Sequence, residues 1–153
     1  MRAVVQRAKS ARVIIDGRES REMDQGLTVF LGVTKGDGEP QARLLAEKIA
    51  GLRVFTDENG KMNLSLDQIG GGVMVISNFT LGTDCRKGRR PSFDLAAEPG
   101  TAKALYECFA ARLKALGLPV VTGEFGAQMQ VLVENDGPVT LILDTEKLRD
   151  PVG

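Results

Sequence analysis

Histidine is absent from all 153 residues. That removes any mechanism built on an imidazole base, a histidine-bearing triad or a histidine metal ligand. The two cysteines, Cys85 and Cys108, are too few for an all-cysteine zinc site or a disulfide framework, and they read as free thiols of a reducing compartment. Neither charge sign is in excess. Lys and Arg total 20 against 20 Asp and Glu, so no global basic field draws the chain to nucleic acid, and any such contact must be local. No apolar run approaches the roughly 18 residues of a membrane span. Met1 to Asp16 alternates charge with short apolar stretches, unlike the continuous apolar stretch of a signal peptide. These absences predict a cytoplasmic protein with no membrane contact, no metal and no cofactor.

What is present fits a soluble globular class. Apolar residues make up 42% and charged residues 26%, which excludes disordered, collagen-like and membrane classes. The length predicts a single domain over residues 1–153. Two strands are expected at the start: one around Val4 and Val5, the second where Ala11, Val13 and Ile15 alternate with Arg12, Ile14 and Asp16. Asp16-Gly17 is a hairpin signal, and the apolar run Leu27 to Val33 reads as a strand buried on both faces.

Between Gln41 and Arg53 the period changes: Leu45, Ile49 and Leu52 form a helical stripe, with Pro40 near its first turn. A further strand is expected over Val73 to Leu81, after the turn at Asn59-Gly60 and the glycines 70–72. A second helix is expected from Thr101 to Leu116, stopped by Gly117 and Pro119. Strands return with Met129, Val131 and Val133, turn at Asn135 to Pro138, and continue from Val139 to Asp144. With two helices too few and too unevenly spaced for a doubly wound sheet, the expected fold is α+β: one domain with a curved, largely antiparallel, barrel-like sheet.

Several segments carry or mimic chemistry. Asp57 to Gln68 resembles a calcium loop only superficially, because Met62 stands where the loop requires glycine; turn chemistry accounts for Asp57 and Asn59. No phosphate-binding glycine loop is present. Arg86-Lys87-Gly88-Arg89-Arg90 is the one concentrated charge feature. It reads either as a solvated loop or as a phosphate-binding lip with salt-sensitive affinity. Just before it, Ser77-Asn78-Phe79-Thr80 puts two hydroxyls and an amide at the end of an apolar strand, for strand-end hydrogen bonding or for catalysis. Without histidine, hydroxyl activation leaves a carboxylate or lysine base, a backbone oxyanion hole, or help from the substrate itself. Cys85, beside the basic run, is a weaker nucleophile candidate. Gly137-Pro138 forms a corner between strands; an X–Pro bond is ordinarily trans, but a tight corner is where cis proline occurs.

Six blocks, in order, then carry a resemblance: MRAVVQRAKSARV at the start, GVTKGD at 32–37, DENGKMNLSL at 57–66, SNFTL at 77–81, RKGRRPSF at 86–93 and NDGPVT at 135–140. Over nearly the whole chain the sequence resembles the D-aminoacyl-tRNA deacylases, which remove D-amino acids mischarged onto tRNA. The resemblance implies a homodimer of a β-barrel-like α+β fold with active sites at the subunit interface. It implies that Ser77, Phe79 and Thr80 belong to the segment holding the 3′-terminal adenosine and its amino acid. It implies that Gly137-Pro138 is a Gly-cisPro motif inserted into the partner's site, excluding L-aminoacyl esters while D-aminoacyl and glycyl esters fit, and that Arg7 holds this motif. Either the terminal ribose 2′-OH helps activate water or Thr80 is the nucleophile.

One departure matters. The family has Gln where this chain has Asn78, one methylene shorter. Three readings follow: the deacylase; a non-catalytic or weakened tRNA-end-binding relative owing to Asn78; and a deacylase acting mainly on glycyl or other misacylated tRNAs. A related animal family has proline at the position of Ser77. This chain keeps Ser77 and Phe79, against the third reading as sole function.

Overall fold

The computed structural model describes residues 1–148. Its spine is β1 (Arg2–Ile15), a single strand where the sequence predicts two. The polar residues Lys9 and Ser10 do not end it. They fall at register shifts of the ladder, where the strand bends and stays paired. Asp16 and Gly17 both have positive φ, 50° and 66°, the expected hairpin, and lead into β2 (Glu19–Met23), which pairs with the C-terminal part of β1. β3 (Gly26–Gly32) pairs antiparallel with its N-terminal part.

The sheet is mixed: all three ladders of β1 are antiparallel, as expected, but two further ladders are parallel. β6 (Gly72–Ser77) lies parallel to β3, and β7 (Val120–Thr122) parallel to β6. The physical reason is in the connections. Adjacent parallel strands need a long crossover, and the two predicted helices supply it. α1 (Glu39–Ala50), with the small hairpin β4 (Phe55–Thr56) and β5 (Met62–Leu64) and the short α2 (Leu66–Ile69), links β3 to β6. α3 (Pro99–Ala115) links β6 to β7, with Gly117 at φ 87° just past its end. Finally β8 (Met129–Asp144) runs along the whole of β1 on the opposite edge. The Arg21 guanidinium of β2 donates to the Thr122 and Gly123 carbonyls at 2.6 and 3.2 Å, drawing the two ends of the curved sheet toward closure.

Curling gives the sheet two apolar faces. On one, Val5, Leu27, Val29, Leu31, Val73 and Val75 pack against Leu45 and Ile49 of α1 and Leu105, Phe109 and Leu113 of α3. Leu52, expected on the same stripe, is only half-buried because α1 ends before it. The Tyr106 hydroxyl closes the end of this core with hydrogen bonds to the Val75 and Gly123 carbonyls at 3.3 and 3.4 Å, and burial raises its pKa. The second core fills the inside of the curl with Ala8, Ala11, Val13, Ile15, Met23, Met74 and Ile76. Burial on both sides explains the continuous apolar runs of β3 and β6. Among the described residues no helix is long and apolar enough to cross a membrane.

Candidate active site

The strand expected over Val73 to Leu81 stops at Ser77. Asn78 has extended backbone, and its side-chain oxygen accepts a hydrogen bond from the Thr80 N–H at 3.2 Å, capping a turn of 3₁₀ helix over Phe79–Gly82. Asparagine is a favoured cap because its short side chain reaches the amide two residues on. The same Asn78 oxygen also accepts from the Thr80 hydroxyl. Ser77, Asn78 and Phe79 thus stand at the rim of a cavity, while Thr80 lies on the exposed turn beside it.

That cavity holds about 640 Å³ and is mostly apolar. Its walls come from several places: Phe30 of β3, Ile76 of β6, Ala97 just before α3 and Ala102 in its first turn, Phe125 before β8, and Met129 and Val131 of β8. Sequence reasoning did not assign these wall residues to a site. Nothing in the local sequence pattern marks them; in the structure Phe30 is the single half-buried side chain in the otherwise buried β3. Apolar walls with a few polar groups at the rim suit a flat, largely uncharged ligand portion whose reactive group lies at the mouth.

Arg7, Gly137 and Pro138 gather elsewhere. In the ladder Gln6 faces Thr140 and Ala8 faces Asn135, so residues 136–139 leave the sheet opposite Arg7. The buried Arg7 guanidinium holds this outpouching. Its Nε donates to the Asp136 carbonyl at 3.1 Å and lies 3.4 Å from the Asp136 carboxylate, while Nη1 donates to the Val54 carbonyl at 2.8 Å. Asn135, which sequence reasoning quoted but gave no role, completes the frame. Its side-chain NH₂ donates to the Arg7 and Val139 carbonyls at 2.9 and 3.0 Å. Gly137 sits at φ 135°, where a Cβ would lie 2.7 Å from Val139 Cγ2 and 2.8 Å from the Val139 N, so any side chain there is strained. The Gly137–Pro138 bond is cis, and both residues are exposed. Neither lines the cavity of its own chain.

The basic run forms an exposed loop closed by paired hydrogen bonds between the Asp84 and Ser92 backbones, 2.8 and 2.9 Å. Its charge is three rather than four. Arg86 turns back on Asp84, with Nη2 to Oδ2 at 2.7 Å, and this pairing pulls the Asp84 pKa down to about 2. Lys87, Arg89 and Arg90 have no ion pair among the described residues. Cys85 is exposed and Cys108 half-buried, both free. Asp57 does act as a turn residue: its carboxylate accepts from the Asn59 and Lys61 amides at 2.9 and 3.0 Å.

Comparison with known proteins matches residues 4–144 to the D-Tyr-tRNA(Tyr) deacylase family model. A D-aminoacyl-tRNA deacylase of Thermosipho africanus is 55% identical over 97% of this chain and 99% of its own length. One of Koribacter versatilis is 56% identical over 96% and 99%. Among solved structures, the c-Myc DNA Unwinding Element Binding Protein superposes with TM-score 0.87 at 37% identity, covering 94% of this chain and 98% of that one. A probable eukaryotic D-amino acid tRNA deacylase, 16% identical over 93% of this chain and 97% of its own, has TM-score 0.77 and shares the fold.

Proposed function

This chain belongs to the D-Tyr-tRNA(Tyr) deacylase family, and from that premise we propose that it hydrolyses the ester bond of D-aminoacyl-tRNA, releasing free D-amino acid and tRNA. It is an aminoacyl-tRNA deacylase, a carboxylic ester hydrolase, and its place of action is the cytoplasm. The observation that carries the reading is the cavity rimmed by Ser77, Asn78 and Phe79 in a chain so similar to known deacylases. The apolar cavity takes the 3′-terminal adenosine, which leaves the ester at the rim beside Ser77 and the 3₁₀ turn.

Hydrolysis adds a water oxygen to the ester carbonyl and expels the ribose 3′-oxygen, which takes up a proton. The Thr80 hydroxyl donates to the Asn78 amide oxygen, and an amide cannot serve as its base. This favours water, assisted by the ribose 2′-OH, over Thr80 as nucleophile. An aminoacyl ester is already activated, so positioning plus backbone donors to the oxyanion supplies the needed acceleration. Ser77 orients the ester, and no cofactor takes part.

Chirality is set by Gly137-Pro138. In this reading the corner enters the cavity of a second copy, where its carbonyls occupy the space an L side chain would need; D-aminoacyl and glycyl esters fit. Two facts support it: the corner is exposed, and it is held by Arg7 away from its own chain's cavity. The working unit is then a homodimer, with the whole chain acting as one domain. Lys87, Arg89 and Arg90, with Arg86 nearer the base of the loop, meet the tRNA backbone.

The test is deacylation of D-tyrosyl-tRNA and L-tyrosyl-tRNA at equal concentration. Selective loss of the D ester is expected. Loss of neither, with Asn78→Gln restoring turnover, would make this chain a weakened tRNA-end binder instead.

A further inference from the structure

Two aromatic rings stand in solvent beside the cavity. Phe79 is 59% exposed and Phe93 39% exposed. Their centroids are 5.3 Å apart and their planes 72° from parallel, an edge-to-face pair. They come together because the loop after the 3₁₀ turn is pinned shut by the Asp84–Ser92 hydrogen bonds, which brings Phe93 back against Phe79. Phe79 also lines the cavity. The rings therefore stand between the cavity and a loop tip carrying Lys87, Arg89 and Arg90, which have no ion pair among the described residues.

We propose that the Phe79–Phe93 pair is a stacking ledge for the unpaired nucleotide that precedes the terminal adenosine in the tRNA's 3′ tail, with Lys87, Arg89 and Arg90 meeting the phosphates on either side. The inference rests on the deacylase reading and extends the site by one nucleotide. The occupant is argued from chemistry. A nucleobase offers a π face to an exposed ring and brings an anionic phosphate at each end, which matches rings flanked by cations. An apolar protein segment would satisfy the rings and leave the cations without partners. Phenylalanine has no polar atoms for base edges, so the ledge holds the base by its face alone.

The experiment uses a short oligoribonucleotide ending in adenosine, with 2-aminopurine as the preceding nucleotide. Wild-type protein is expected to quench its fluorescence on binding. Phe93→Leu, which keeps an apolar side chain, removes the quench and weakens binding about tenfold, while Phe93→Tyr retains both. In deacylation, Phe93→Leu raises KM for D-tyrosyl-tRNA about tenfold, and the penalty falls away with D-tyrosyl-adenosine, which lacks the stacked nucleotide. Quenching that survives Phe93→Leu, or equal penalties on both esters, overturns the ledge. Binding of the oligonucleotide without any quench by wild-type protein overturns it too. Wild-type protein that hydrolyses neither ester would instead overturn the deacylase reading, and the quench still decides whether the rings stack a base.

Discussion

Asn78 shows how one side chain can divide its work. Its oxygen caps the 3₁₀ turn through the Thr80 amide and also receives the Thr80 hydroxyl proton. A glutamine there is a poorer cap, so Asn78→Gln is expected to cost about 1 kcal/mol in urea unfolding. Asn135 is the second case, a positioning residue bridging the Arg7 and Val139 carbonyls across the Gly137-Pro138 corner. Removing two hydrogen bonds there loosens the corner by about 2 kcal/mol. Asn135→Ala should therefore lower the D-over-L ratio of kcat/KM roughly thirtyfold. A ratio unchanged from wild type would show that the corner is held by Arg7 alone. Thr28 is the reverse case, a fully buried hydroxyl with no hydrogen-bond partner among the described residues. Thr28→Val keeps its shape and removes the orphan oxygen, so a gain of about 1 kcal/mol is expected from the shift in urea midpoint.

At the scale of elements, β3 lies tightly against β6 at one point. Gly26 pairs with Gly72, and a Cβ on Gly26 would stand 2.0 Å from the Gly72 carbonyl oxygen. Backbone cannot yield as a side chain tip can, so Gly26→Ala must part the strands. A loss of roughly 3 kcal/mol is expected, seen as a lowered melting temperature. This joint also shows where sequence was legible and where it was not. Periodicity located both helices, the Asp16-Gly17 hairpin and the apolar β3, because each is written in local spacing. Direction is not local: nothing in Val73 to Ser77 says which neighbour it pairs with, so the parallel crossovers were invisible. The three-residue β7 was missed for the same reason, being a strand only through its pairing with β6. Of the candidate site, the residues themselves singled out Ser77-Asn78-Phe79-Thr80 and the Gly137-Pro138 corner, and the resemblance supplied their expected roles and Arg7. The apolar walls come from strand and helix ends far apart in the chain, and only folding brings Phe30, Phe125 and Met129 together.

The molecule as a whole is neutral, so its attraction for tRNA must come from where charge is left over. Arg86 is spent on Asp84, which leaves Lys87, Arg89 and Arg90. Three phosphate contacts on a single strand predict a slope of about −2 in log affinity against log salt, and each cation removed should flatten it by about 0.7. Asp84→Asn frees Arg86 and should steepen it by the same amount. Because the Asp84 pKa is depressed to about 2, its carboxylate is charged at pH 5 as at pH 8, and the increment should be equal at both. The pairing favours the folded state above the ordinary carboxylate pKa, and that contribution is lost only as pH falls through about 2. A slope unaffected by these substitutions would take the loop out of tRNA binding.

The cavity and the corner lie apart within one chain, so the question at the largest scale is whether the gate acts across two chains. A mixture of two variants answers it. One carries Arg7→Ala, which frees the corner and should admit L esters while its cavity stays intact. The other carries Phe30→Ala and Ser77→Tyr, which spoil the cavity and leave the corner with its Arg7 and Asn135 clamps. If the corner of one copy closes the cavity of the other, mixed dimers place an intact corner over an intact cavity. L-tyrosyl-tRNA hydrolysis by the first variant should then fall as the second is added in excess, while D hydrolysis persists. If the corner acts on its own chain, L hydrolysis stays constant per first-variant subunit however much of the second is present. Light scattering on the wild type, expected at twice the 16.4 kDa chain mass, shows that there are dimers to mix. A mass of one chain at micromolar concentration would refute the shared site directly, because a lone subunit has no second corner to borrow.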